Sequence, residues 1–206
     1  MAHRIVLLAA LTFTPGWTAQ PARGDDKDSS AAVAFPKEAL IIPPVGRYGR
    51  TPVPSDAVQA LLCNGQWKTP KVGDALTAAD GSQRQWATVP FKDGTLNHKA
   101  LAGGYAFFTV KAAAECVMIL EAAGHTMVLV NGEPRVGDIY QTGYVKVPVL
   151  LKKGDNEFLF QGARGSLRAK LVEPKAAAQL HLGDVTAPNL LIGEPVDTHA
   201  AVVVLN

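Results

Sequence analysis

Three acidic residues near the middle of the chain, Glu121, Glu133 and Asp138, have the side-chain type for glycoside hydrolysis. That reaction needs two carboxylates held about 5–10 Å apart across a sugar. Glu133 and Asp138, however, stand where turns ordinarily place acidic residues. The five histidines, at positions 3, 98, 125, 181 and 199, form no His-x-His or His-x-x-x-His pair, so a zinc site would have to gather ligands across the fold. Asp138 and Asp155 follow sheet-like runs, where oxygen ligands can hold calcium but where turn capping is the simpler role. Gly81-Ser82 and Gly165-Ser166 miss the Gly-x-Ser-x-Gly spacing of a nucleophile elbow. The 19 glycines contain no phosphate loop or dinucleotide fingerprint. These residues imply no catalytic group, metal or cofactor within the chain.

Sugar binding asks for different groups, namely aromatic faces that stack on sugar rings beside polar side chains. Trp86 and Tyr105 lie in strand patterns and read as core. Trp67, Tyr140 and Tyr144 lie in or beside loops. Tyr140-Gln141-Thr142-Gly143-Tyr144 places phenol, amide and hydroxyl groups close together. The candidate ligand-binding residues are therefore Trp67, Tyr140, Gln141 and Tyr144. The competing reading of the same stretch is a strand connection whose amphipathic rings cover one end of the fold.

The two cysteines, Cys63 and Cys116, lack Cys-x-x-Cys spacing and allow either one disulfide or two buried thiols. Met1 to Arg4 is a short positive segment, Ile5 to Phe13 is apolar but too short to span a bilayer, and small residues follow. That order is a secretory signal peptide and implies a secreted or periplasmic protein. The formal net charge of +2 gives no electrostatic footprint for nucleic acid. No later segment is a candidate membrane span.

The elements that must position these residues are strands. The region from Gly103 to Val172 centres on Val128-Leu129-Val130-Asn131-Gly132-Glu133, where Asn-Gly supplies the residues a two-residue hairpin turn prefers. Around it, period-two alternation sets Val145, Val147 and Val149 on one side. It does the same for Phe158 with Phe160. Leu167, Ala169 and Leu171 turn inward, with Arg168 and Lys170 outward. Turn signals at Lys153-Gly154-Asp155 and Ala163-Arg164-Gly165 separate the runs. This is an antiparallel β-sandwich pattern. Ser55 to Leu62 reads either as a short helix capped by Ser55 or Asp56 or as a first strand. The organisation expected is a signal peptide over 1–22, a flexible Pro/Gly-rich arm over 23–54, a β-sandwich over 55–174, and a connector with the first strand of a further β-domain over 175–206. Within the arm, Leu40-Ile41-Ile42 has the composition to lie along the domain. The final apolar run, Ala200 to Leu205, reads as the start of that further domain rather than as a strand returning to the sandwich.

Several of these segments occur together in a recognisable order: Gly104-Tyr105-Ala106-Phe107-Phe108, then Val128 to Glu133, then Val136-Gly137-Asp138, then Val147 to Glu157 with Leu151-Lys152-Lys153-Gly154-Asp155-Asn156. Over about Trp67 to Leu171 the chain resembles the galactose-binding-like jelly-roll modules. It is most similar to the N-terminal sugar-binding domains of β-galactosidase- and glucuronidase-type glycoside hydrolases. The resemblance implies an eight- to ten-stranded sandwich in a secreted multidomain protein, and it carries no catalytic residue into the matched region. The expected function is a non-catalytic accessory module that positions or targets a hydrolase domain, its partner being an adjacent domain of the same polypeptide. The alternative is a stand-alone carbohydrate-binding module that uses its loop aromatics.

Overall fold

The computed structural model describes residues 33, 35–47, 55–189, 192–193, 197 and 199–205. The expected signal peptide, 1–22, and much of the expected arm lie outside the described residues. In chain order the elements are β1 (Glu38–Ile42), β2 (Gly46–Arg47), β3 (Ser55–Asp56), α1 (Ala57–Cys63), β4 (Ala75–Thr77), β5 (Gln83–Gln85), β6 (Ala87–Pro90), β7 (Thr95–Asn97), a 3-10 turn (Lys99–Leu101), β8 (Tyr105–Ala112), β9 (Cys116–Ala123), β10 (His125–Val130), β11 (Glu133–Val136), β12 (Lys146–Leu151), β13 (Gly154–Gly162), β14 (Ser166–Val172), β15 (Gln179–Thr186) and β16 (Ala201–Leu205). No helix among the described residues is long and apolar enough to cross a membrane.

Ten of these strands form an all-β sandwich. A six-stranded antiparallel sheet has the order β11-β10-β13-β8-β1-β6, and a four-stranded sheet has the order β12-β9-β14-β7. Alternation decides what lies between them. Phe108, Val110, Val128, Phe158 and Phe160 of the large sheet meet Leu120, Val149, Leu151 and Leu167 of the small one. Phe108 is the hub, with ring centroids 5.6 Å from Phe158 and 5.5 Å from Phe160.

The large sheet is buried on its other face as well. Ile42, Tyr105, Phe107, Leu129 and Leu159 pack there beneath Val58 of α1, Val45, Ala78 and Trp86. That covering layer explains the unbroken apolar run Tyr105–Phe108, since a strand buried on both faces has no reason to alternate. Asp56 caps α1 by accepting a hydrogen bond from Gln59 N at 2.9 Å, which settles the helix-or-strand alternative for this segment as a helix.

Two features correct the sequence expectations. Glu38–Ile42 is not part of a flexible arm. It pairs with β8 on one side and β6 on the other, and Ile41 and Ile42 are buried in opposite clusters. The prolines flanking this strand lie outside its hydrogen-bonded ladder, so they do not interrupt it. Cys63 and Cys116 are free thiols, the first exposed and the second half-buried, so they form neither a disulfide nor a pair of buried thiols. Cys63 ends α1 in the covering layer, whereas Cys116 opens β9 in the small sheet. The large sheet lies between those layers, and packed sheets are about 10 Å apart, beyond the Cα separation a disulfide tolerates.

The Asn-Gly turn forms as its residues dictate. Val130 pairs with Glu133, and Asn131 and Gly132 both take positive φ, 52° and 84°. The last apolar run, β16, pairs with β15 in a two-stranded ribbon that belongs to neither main sheet. In that ribbon Leu180, Val202 and Val204 alternate onto the face opposite His181 and Leu205, and all three are exposed.

Candidate functional site

The outer face of the four-stranded sheet is built from the residues that alternate away from the core. Register aligns them in rows across the strands. Lys146, Glu121 and Lys170 form one row over β12, β9 and β14. The next row holds Ala123, Arg168 and Thr95, and the row on the other side holds Pro148, Ile119 and Val172. Glu121 lies between the two ammonium groups, 2.9 Å from Lys146 Nζ and 2.7 Å from Lys170 Nζ. Partial burial pushes the Glu121 carboxyl up, but the hydrogen bonds and charges of Lys170 and Lys146 outweigh it and hold the group below its ordinary value.

Beside this face runs the connection from β11 to β12. Asp138 organises it. Its carboxylate is buried and accepts hydrogen bonds from Gly143 N at 2.7 Å, Thr142 N at 3.1 Å and the Thr142 hydroxyl at 3.1 Å. Burial raises the Asp138 carboxyl, and the Gly143, Thr142 and Gln141 donors more than reverse this, so it is held as an anion. Gln141 takes φ of 60° within the turn so formed. Tyr140 and Tyr144 are left 75% and 53% exposed. Arg164 stands 5.5 Å from the centre of the Tyr140 ring, so that ring already carries a cation on one face. The Tyr144 carbonyl lies 2.6 Å from His181 Nε2. A carbonyl only accepts, so the proton is on Nε2 and the contact ties the ribbon to the loop.

These parts enclose a cleft of about 710 Å³, with Glu121, Lys146 and Lys170 on its floor, Thr142 to Tyr144 along one wall and the ribbon along another. A second cleft of about 320 Å³ lies on the far side of the same charged row, against Asp93, Thr95 and Arg168.

Beneath the loop lies His125, 1% exposed, with its ring edge on Phe160 and Nδ1 without a hydrogen-bond partner among the described residues. Burial pushes its pKa down to about 4, opposed by the Asp138 charge and the Val136 carbonyl. The unfolded chain binds a proton here near pH 6.5, and the folded chain does not until about pH 4. Stability is therefore lost as pH falls through this window, by about 1.5 kcal/mol from pH 6.5 to pH 5, where most ordinary carboxylates are still ionised. Urea unfolding at those two pH values is expected to show this loss, and His125→Leu is expected to abolish it.

Of the residues singled out from sequence, Tyr140, Gln141 and Tyr144 share the Asp138 loop. Trp67 does not join them. It packs against Phe107, centroids 6.4 Å apart, on the covered face of the large sheet. The three acidic residues are each committed elsewhere, Glu121 to two lysines, Asp138 to backbone donors and Glu133 to Arg135 at 2.6 Å. Held as anions, Glu121 and Asp138 have the opposite property to that of a general acid, which must stay protonated. Among the described residues no three His, Cys, Asp or Glu side chains converge as metal ligands do. Sequence reasoning placed Arg168 and Lys170 outward but missed the row they complete, because strand register is not legible in alternation alone. No family model matches the chain, and neither a curated protein nor a solved structure matches it.

Proposed function

We propose that this chain is a non-catalytic accessory β-sandwich module, galactose-binding-like in fold, of a secreted multidomain hydrolase, and that it positions or targets a catalytic domain of the same polypeptide. The observation that carries this reading is the ribbon. The ribbon buries His181 and Leu205 on one side, and it presents exposed Leu180, Leu182, Val185, Val202 and Val204. Exposed apolar pairs of this kind, Leu180 with Val204 and Val185 with Val202, suit a surface that another protein surface covers. An adjoining domain would bury those side chains and add to the stability of a two-stranded ribbon. The order of the hairpin and Leu-Lys-x-Gly-x-Asn motifs supports the fold-family part of the proposal, and the N-terminal charge and hydropathy order supports export.

The reading frame of the natural transcript beyond the Asn206 codon tests this proposal. Continuation into a domain with a nucleophile elbow or a barrel pattern is the expected result. A stop codon immediately after Asn206 contradicts it.

A second reading, a carbohydrate-binding module, is favoured by the polar cleft beside Tyr144. It places a phenol, a hydroxyl and several charged groups along one open groove, the mixture that sugar recognition uses.

A further inference from the structure

The charged row on the small sheet has a property that a structural ion pair does not need. One carboxylate, Glu121, is shared by two ammonium groups, so the row keeps a net positive charge. Arg168, one row away on the same face, and Lys175, on the rim of the larger cleft, make no ion pair with any described residue. Glu173 and Asp93 are the other acids lining these clefts, so four cations, Lys146, Arg168, Lys170 and Lys175, face three acids, Asp93, Glu121 and Glu173.

We propose that this face binds an acidic polysaccharide, a chain of hexuronate residues, with sugar carboxylates on Lys170 and Arg168 and a sugar ring against Tyr144. The inference rests on the carbohydrate-binding reading above and specifies the class of sugar. Arg168 and Lys170 are two residues apart on β14, about 6.7 Å along the strand. They therefore address two successive anions of a polymer rather than one small ion. The Arg168 guanidinium offers the planar pair of donors that matches a carboxylate. Glu121 keeps Lys146 and Lys170 extended side by side over the floor of the cleft. An acidic peptide is a poorer occupant, because an extended peptide docks on a sheet edge through backbone hydrogen bonds. Here the reading groups are side chains standing on a sheet face.

The test is electrophoresis of the full chain through gels containing polygalacturonate, neutral galactan or poly-L-glutamate. Retardation by polygalacturonate alone is expected. The double variant Arg168→Ala/Lys170→Ala, both sites being exposed, is expected to weaken it at least about tenfold. Lys111→Ala is expected to leave it unchanged, since Lys111 lies on β8 of the other sheet. Equal retardation by poly-L-glutamate, or a double variant that still binds polygalacturonate fully, overturns the proposal. Retardation by galactan that the double variant retains overturns the acidic specificity while leaving the carbohydrate reading standing. Migration unaffected by all three polymers overturns both.

Discussion

Replacing Asn156 with alanine is expected to lower the unfolding free energy by about 3–5 kcal/mol, the largest loss for any single polar side chain in this fold. Asn156 is fully buried. Its Oδ1 accepts from Lys152 N at 2.8 Å and from Asn131 Nδ2 at 2.9 Å. Its Nδ2 donates to the Lys152 carbonyl at 2.9 Å and the Gly154 carbonyl at 3.0 Å. One side chain thus closes the Lys152–Gly154 turn and links it to the Asn131-Gly132 hairpin. Asn131 Oδ1 in turn accepts from Glu157 N at 3.0 Å, so the two turns at this end of β13 are held as a unit. Truncation removes all of these bonds at once, leaving the fully buried Val110 carbonyl and the half-buried groups of Asn131 and Gly154 without the side chain that matched them. Asn156→Asp should fare no better, because a carboxylate cannot donate to the Lys152 and Gly154 carbonyls. Urea unfolding at neutral pH measures both. A loss below about 1 kcal/mol would show that the network contributes little beyond ordinary solvent-exposed hydrogen bonds.

The second large effect is expected at Gly124, between β9 and β10. Its φ is +89°, and a Cβ there would sit 2.1 Å from the Ser166 carbonyl oxygen. Gly124→Ala therefore combines left-handed strain with an overlap against backbone that cannot move aside, about 3 kcal/mol or more in total. The Gly124 amide also donates to the Asp138 carbonyl at 2.8 Å, so the change reaches the Tyr140–Tyr144 loop. Gly132→Ala is the control. Its φ is +84° but nothing lies within 4 Å of the added Cβ, so only the strain of about 1–2 kcal/mol applies. Thermal unfolding of the two variants separates the terms. Equal losses would mean that the Ser166 overlap relaxes.

The sandwich was legible where one face of a strand meets water. Lys146, Arg168 and Lys170 alternate with core residues on the small sheet, and that pattern announces both the strands and their inward faces. It was less legible where both faces are buried. Tyr105–Phe108 lacks alternation because α1 and the segment up to Trp86 cover the large sheet's outer face, a layer that no local pattern reveals. Leu40-Ile41-Ile42 has the composition to lie along the domain, but its place as an inner strand was not legible, because the prolines around it have the composition of a linker and its partners in β8 and β6 are more than 40 residues away. The candidate site divided in the same manner. Tyr140, Gln141 and Tyr144 are neighbours in sequence and stay neighbours in the loop. Trp67 was grouped with them by ring chemistry and a loop position, neither of which says where in space the loop lies, and the fold puts it against Phe107. His181 had no sequence signal, since its role depends on the ribbon meeting the Tyr144 carbonyl.

The central claim is that the β15–β16 ribbon is the surface on which a further domain of the same polypeptide docks. Hydrogen exchange measured on the natural gene product and on residues 1–206 alone tests it most directly. Amides of 179–186 and 201–205 are expected to exchange markedly more slowly in the natural product, with the two main sheets unchanged, because docking buries a ribbon that is marginal by itself. Identical exchange of the ribbon in the two proteins would contradict the claim.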